Sequence, residues 1–246
     1  TEAAAQNGRQ ESALAFEAFE LRLPVGILPE YKAKEILRAA GIPTPRSAVA
    51  HTLEEAQSIA AQIGYPVVLK AQSADLSHKS DVGGVVLDLA DQDALSAAWK
   101  HLHENIARLL PNITLDGVLV EQMSKPGAEL IVGARKDPEW GPVLLVGFGG
   151  VLAEALRDIR LLPPDLGVEA IINELLQLKS AAVLRGFRGS PALNVRAVAE
   201  IVQRVGNLMR SAPEIQEIDI NPLLVYPEGQ EPLALDALMV TRATAG

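Results

Sequence analysis

Short apolar runs and longer stretches of mixed apolar and polar residues follow one another along this chain, and the boundaries between them predict its elements. EYKAKEILRAA begins after Pro29 and stops at Gly41, a helix with both a start and a stop signal. IPTP then forces an extended connection. Thr52 and Glu55 make a capping box ahead of EEAQSIAAQI, which Gly64 ends. PVVLKA (66–71) and GGVVLDL (83–89) read as strands on either side of the polar loop QSADLSHKSDV. Asp91 caps a long amphipathic helix, DALSAAWKHLHENIARLL. GVLVEQM, AELIVGARK and PVLLVGF are three further strands, the last followed by the glycine-rich turn GFGG (147–150). Two helices, around 167–179 and 194–211, precede the closing strands IQEIDINPLLVY and LALDALMV.

Many neighbouring strands are joined by turns short enough for antiparallel pairing, although strands and helices alternate. That combination predicts an α+β or mixed α/β architecture with two lobes. The chain has 246 residues, nearly half of them apolar, enough for one large domain or two small lobes sharing a cleft. Its opening, TEAAAQNGRQES, is small and polar, and residues 1–28 read as a linker or N-terminal tail. A net charge of −9 argues against a nucleic-acid partner, while a few local cations still suffice for a small anion such as a nucleotide. There is no cysteine, which excludes disulfides, thiolate nucleophiles and Cys-ligated metals and fits a cytoplasmic protein. No apolar run is long enough to span a bilayer, so no membrane contact is expected.

Several residues are candidates for chemistry. Lys70 closes an otherwise apolar strand and either snorkels to solvent or meets an anion. Glu121-Gln122-Met123 ends a strand whose edge can present backbone groups to an adenine ring, with Met on its face, or is simply a solvated strand end. Glu129 begins the next strand, facing a cleft or water. Glu217, Asp219 and Asn221 are two apart and share one strand face. Asp236 is the one charged residue in LALDALMV, and a short hairpin would set it beside Asp219 or Asn221. Two carboxylates and an amide suit a hard cation such as Mg²⁺; the alternative is an acidic, half-solvated sheet face. GFGG is neither a P-loop nor a dinucleotide fingerprint, yet its backbone N–H groups can approach phosphate. Of the four histidines, His101 and His103 read as surface or packing residues and His51 as a neighbour of a helix cap. His78 lies in a polar loop with Ser77, Lys79, Ser80 and Asp81, where an imidazole is either solvated or able to accept and return a phosphoryl group.

Taken in order, EYKAKEILRAAGIPTP, PVVLKAQSADLSHKSDVGGV, VEQM, GAELIVGARKDPEWGPVLLVGFGGV, LRGFRG, EIDINPLLV and LALDA resemble the ATP-grasp superfamily. The resemblance is specifically to the nucleotide-binding β part of ADP-forming acyl-CoA synthetases, and covers about residues 29–240. It implies an ATP-grasp domain over 29–246, with lobes at approximately 40–115 and 116–246 gripping ATP or ADP between them. By resemblance, Lys70 contacts the phosphates, Glu121 and Met123 lie at the adenine hinge and Glu129 lies near the ribose. Gly149 and Gly150 line the phosphate end, Arg135 or Arg188 neutralises phosphate charge, and Asp219, Asn221 and Asp236 hold Mg²⁺. The related succinyl-CoA synthetase β subunit carries a glycine- and arginine-rich loop where this chain has LSHKSD. The resemblance therefore casts His78 as a relay of phosphate between the nucleotide and a histidine on the CoA-ligase part. The implied reaction is acid + CoA + ATP ⇌ acyl-CoA + ADP + phosphate. The CoA-binding and ligase domains, which would bind CoA and the carboxylic acid, are expected on a separate α subunit or elsewhere in a longer polypeptide. The linker-like start favours the second. Two other readings are an ATP-grasp carboxylate ligase that uses an amine acceptor and has no need of His78, and a nucleotide-sensing domain of a protein acetyltransferase.

Overall fold

A computed structural model describes residues 23–76, 79–150 and 158–243. Its strands form two antiparallel sheets. The smaller has the order β2-β5-β3-β4, from β2 (Ser47–Ala50), β3 (Val67–Gln72), β4 (Val85–Leu89) and β5 (Gly117–Gln122). The larger has the order β1-β11-β9-β6-β7-β8, with a short β10 also paired to β9. Its strands are β1 (Gly26–Leu28), β6 (Ala128–Asp137), β7 (Gly141–Phe148), β8 (Ile159–Leu162), β9 (Ile215–Val225), β10 (Leu233–Ala234) and β11 (Ala237–Thr241).

Alternation buries one face of the larger sheet, whereas β3, inside the smaller sheet, is buried on both faces. In β6, Leu130, Val132 and Ala134 are buried, whereas Glu129, Ile131, Gly133 and Arg135 face the other way. The buried face joins Leu144, Val146 and Phe148 of β7 and Ile218 and Ile220 of β9 in one core. Over it lie α1 (Glu30–Ala39), α4 (Val168–Leu175), the short α5 (Ala181–Leu184) and α6 (Val195–Ser211). In α6, Val198, Val202, Val205 and Met209 recur at three- and four-residue spacing, which turns one stripe of the helix onto the sheet. The smaller sheet packs Val67, Leu69, Ala71, Val118 and Val120 under α2 (Leu53–Ile63) and α3 (Gln92–Leu109). None of the described helices is long and apolar enough to cross a membrane.

Two lobes were expected, but their division differs from the expectation. β5 sits between β2 and β3 and so belongs to the smaller sheet, which moves the boundary from about 115 to beyond Gln122. β1 and α1 belong with the larger sheet, so that lobe is built from both ends of the chain and the smaller one is inserted within it. Residues 26–28, placed in a linker by their composition, are an edge strand paired to β11. LALDALMV is not one strand: pairing stops after Ala234 and resumes at Ala237, leaving Asp236 between β10 and β11. The capping box closes on a neighbour. Thr52 Oγ1 accepts from Glu55 N–H at 3.2 Å, but Glu55 Oε2 accepts from His51 N–H. β2, β8 and α5 were not predicted, being four residues each.

Candidate functional site

The sequence sends three lysines and two glutamates into the junction between the lobes. Glu30 and Lys34 stand one turn apart on α1, Lys70 and Glu121 lie on neighbouring strands of the smaller sheet, and Lys79 follows the loop after β3. Glu30 Oε1 meets Lys34 Nζ at 2.7 Å and Lys70 Nζ at 2.8 Å, while Glu30 Oε2 meets Lys79 Nζ at 2.5 Å. Glu121 Oε2 accepts from Lys34, and Glu121 Oε1 lies 2.8 Å from Lys70 as an ion contact outside hydrogen-bond geometry. Lys34 and Lys70 both donate to the Leu235 carbonyl, at 2.7 and 2.8 Å, which ties the smaller sheet and α1 to the β10–β11 break.

Burial opposes the charge on Glu30, but Lys70, Lys34 and Lys79 outweigh it and hold the carboxyl far below its ordinary value. Burial likewise opposes Lys70, yet Glu30 and Glu121 raise it above the ordinary lysine range. Lys34 moves the other way although it shares those carboxylates. Burial lowers it first and the adjacent Lys70 charge adds to that, and together they outweigh Glu30 and Glu121.

Beside this cluster, a cavity of about 340 Å³ opens between the lobes, lined by Glu30, Ser73, Lys79, Asp219, Asn221 and Asp236. The expected approach of Asp236 to the β9 face is present. Asn221 N–H donates to the Asp236 carbonyl at 3.2 Å, and Leu238 pairs with Asp219 across the strands. The Asp236 carboxylate accepts from Ala237 N–H and lies 3.4 Å from Lys79. Burial raises Asp219 above the usual carboxylate value, and the charges of Glu217 and Asp236 raise it further. Two carboxylates that repel each other, with an amide oxygen beside them, form a hard-oxygen set that fits a divalent cation completed by water or phosphate oxygens. Among the described residues no three His, Cys, Asp or Glu side chains converge as a metal cage, so water and ligand oxygens would have to supply the remaining positions.

The other expected site residues divide into groups. Glu129, Gly149 and Gly150 come together: Gly149 N–H donates to the Glu129 carbonyl at 2.8 Å. A Cβ on Gly150 would fall 2.8 Å from Glu129 Oε2, at a φ of +62° that also favours glycine. Glu121 and Met123 lie together at the end of β5, but not on an open strand edge. Gln122 N–H donates to the Arg46 carbonyl and Met123 N–H to the Pro66 carbonyl, because β5 is an interior strand. The Glu121 side chain is fully buried in the ion cluster, and the nearby Ser124 Oγ is buried without a hydrogen-bond partner. Lys70 is 6 % exposed and lines neither the interlobe cavity nor the larger groove described next.

Arg135 pairs in register with Glu217 and lines that groove, which has a volume of about 1050 Å³, runs along the open face of the larger sheet and shares Asp219 and Asn221 with the cavity. Arg188 stands elsewhere, in a left-handed backbone conformation over the Phe187 ring. His101 and His103 face partners within α3, Asn105 and Trp99. His78 lies outside the described residues. Sequence reasoning missed Glu30, Lys34 and Lys79. The visible signal was two opposite charges four apart on the face of α1 that also carries Ala33 and Leu37.

A model of the ATP-grasp domain matches residues 22–241, and ATP-grasp domains bind ATP or ADP. The chain is 50% identical over 215 residues to a trans-feruloyl-CoA synthase from an unknown prokaryotic organism, covering 87% of this chain and 30% of that protein. It is 38% identical over 213 residues to the β subunit of ADP-forming acetate–CoA ligase I of Pyrococcus furiosus, covering 87% of this chain and 91% of that subunit. Among solved structures, it is similar to the dinucleotide forming acetyl-coenzyme A synthetase 1 of Ca. Korarchaeum cryptofilum in complex with coenzyme A and Ca-AMPCP. That match has a TM-score of 0.85 at 34% identity over 88% of this chain and 94% of that one. The same protein with Mg-AMPPCP, its phosphohistidine segment pointing towards the nucleotide binding site, has a TM-score of 0.75 at 33% identity, covering 87% and 92%. The fold, the interlobe cavity and these likenesses agree: the chain belongs to the ATP-grasp family, in the branch that holds the β subunits of ADP-forming acetate–CoA ligases.

Proposed function

We propose that this chain is the nucleotide-binding, phosphoryl-transfer part of an ADP-forming acyl-CoA synthetase, with His78 as its phosphate relay. The observation that carries the reading is the interlobe cavity, where Asp219, Asn221 and Asp236 face Lys79 and Glu30. Acidic and amide oxygens on one wall and a cation on the other suit a metal–polyphosphate ligand. Asp219, Asn221 and Asp236 hold Mg²⁺, which when bound neutralises phosphate charge. Glu121 and Met123 frame the adenine end and Glu129 the ribose, while Gly149 and Gly150 admit the phosphates close to the backbone. Lys70 adds positive potential from within the buried cluster, and Arg135 adds it from the open sheet face.

In the transfer, an imidazole nitrogen of His78 gives its lone pair to the γ-phosphorus. The bond to the bridging oxygen breaks with its electron pair passing to ADP, and a nitrogen–phosphorus bond remains. The phosphohistidine then passes its phosphoryl group to the CoA-ligase part, and the sum is acid + CoA + ATP ⇌ acyl-CoA + ADP + phosphate. The phosphohistidine segment named for the Korarchaeum synthetase supports a histidine relay of this kind. The CoA-binding and ligase domains are partners, either on a separate subunit, as for the Pyrococcus β subunit, or in one longer chain, as the 30% coverage of the feruloyl-CoA synthase allows. With no cysteine and no membrane-length helix among the described residues, the cytoplasm is the compartment this chemistry fits.

The test is incubation with Mg²⁺ and γ-labelled ATP. An acid-labile, base-stable phosphate is expected on the native chain and absent from His78→Ala, while Asp236→Ala loses Mg²⁺-dependent nucleotide binding. Label that persists undiminished in His78→Ala would sink the relay.

A further inference from the structure

Lys79 has no role in the family reading above, yet among the described residues it is the cation that lines the interlobe cavity. Lys34 and Lys70 are each held between Glu30, Glu121 and the Leu235 carbonyl. Lys79 holds only Glu30 Oε2 at 2.5 Å and the more distant Asp236 carboxylate at 3.4 Å. Two glutamates do not balance three lysines within this buried group, and Lys79, at the cavity wall, meets its remaining counter-charge in Asp236, the more distant and more exposed carboxylate. Its backbone is fixed as well. The Lys79 carbonyl accepts from Gly84 N–H at 2.8 Å, and a Cβ on residue 84 would fall 2.9 Å from that oxygen, so the approach requires glycine.

The direction of β3 says which part of the nucleotide Lys79 meets. β3 starts beside the β5 end, where Met123 N–H bonds the Pro66 carbonyl, and runs away from it to Gln72. Ser73, Leu76 and Lys79 continue beyond, around the cavity. A nucleotide with its base at the β5 end passes Lys70 first and reaches Lys79 last. Asp236 is the group that both the metal and Lys79 can engage. A cation bound there takes up the Asp236 charge and frees the charge of Lys79 for an anion.

We infer that Lys79, anchored by Glu30, is the residue that binds the terminal, transferable phosphate of the nucleotide. This rests on the functional reading above, which places the base and the metal. Calorimetric titration of the full chain with Mg²⁺–ADP and with Mg²⁺–β,γ-methylene-ATP, for the native protein, Lys79→Met and Lys79→Arg, tests it. Lys79→Met is expected to weaken the triphosphate analogue about tenfold and ADP by less than about threefold, and Lys79→Arg to recover most of the loss. Lys79→Gln is read in parallel in case the methionine variant does not fold. Equal weakening of both nucleotides, or of neither, overturns the assignment while native binding leaves the functional reading standing. A native chain that binds neither nucleotide overturns both.

Discussion

A carboxylate that is raised by burial and by its neighbours costs stability when ionised, and Asp219 is in that position. Because its folded value lies above its unfolded one, the folded state binds the proton more tightly, and this group's penalty is largest at neutral pH and disappears as pH falls. Asp219→Asn should therefore raise the unfolding midpoint of the metal-free protein at pH 7, with the gain shrinking as pH drops through the carboxylate range. Melts across a pH series check this, and a variant less stable than native at pH 7 would refute it. The same substitution is expected to weaken Mg²⁺-dependent nucleotide binding, so the two measurements should move in opposite directions if Asp219 serves the proposed metal site. The β9 carboxylates and amide were legible in the sequence because strand periodicity puts residues two apart on one face. The environment of Lys70 was not. Its neighbours Glu30 and Glu121 are 40 and 51 positions away in sequence, and no local rule joins them.

At the scale of elements, α6 shows how packing outranks propensity. Gly206 sits mid-helix with the Pro164 carbonyl against it, and a Cβ there would overlap that oxygen and stand 3.3 Å from Leu144 Cδ1. Replacing glycine by alanine in a helix is worth about 1 kcal/mol in its favour, but forcing a methyl into backbone costs about 1–3 kcal/mol. Gly206→Ala is thus expected to destabilise by up to about 2 kcal/mol, seen as a lower urea midpoint at unchanged slope. A higher midpoint would show that the Pro164 segment yields freely. The caps of α2 and α3 were readable beforehand, since Thr52 and Asp91 act on backbone only three residues away. The break between β10 and β11 was not, because it depends on what β9 offers each of them as a partner.

For the whole molecule, the buried ion cluster is the fastening between the lobes, and Glu30 is its centre. Removing one member of a buried ionic group leaves the others uncompensated, at about 3–5 kcal/mol. Glu30→Gln should lower stability on that scale and loosen the lobes, as judged by thermal melts and by amide exchange at Leu235 and in β3. Since the folded value of Glu30 lies below its unfolded value near 4.5, its contribution is complete above that pH and is lost as pH falls further. The gap between native and variant should accordingly narrow only in acid. A gap that is constant down to strongly acid pH would mean that packing, not charge, is what the substitution removes.

The sequence by itself determined the strands and helices longer than about five residues, the two-lobed α+β plan and the acidic β9 face, because periodicity, caps and turn residues act over a few positions. Its ordered motifs also pointed to the family. Only the tertiary structure decided that β5 lies inside the smaller sheet, that α1 belongs to the larger lobe and that Lys79 faces the cavity. The physical reason is that an interior strand, a lobe boundary and the fate of a buried charge depend on partners brought together by folding. Lys70 marks the difference: the sequence identified a lysine that must find an anion, and the fold supplied Glu30 and Glu121.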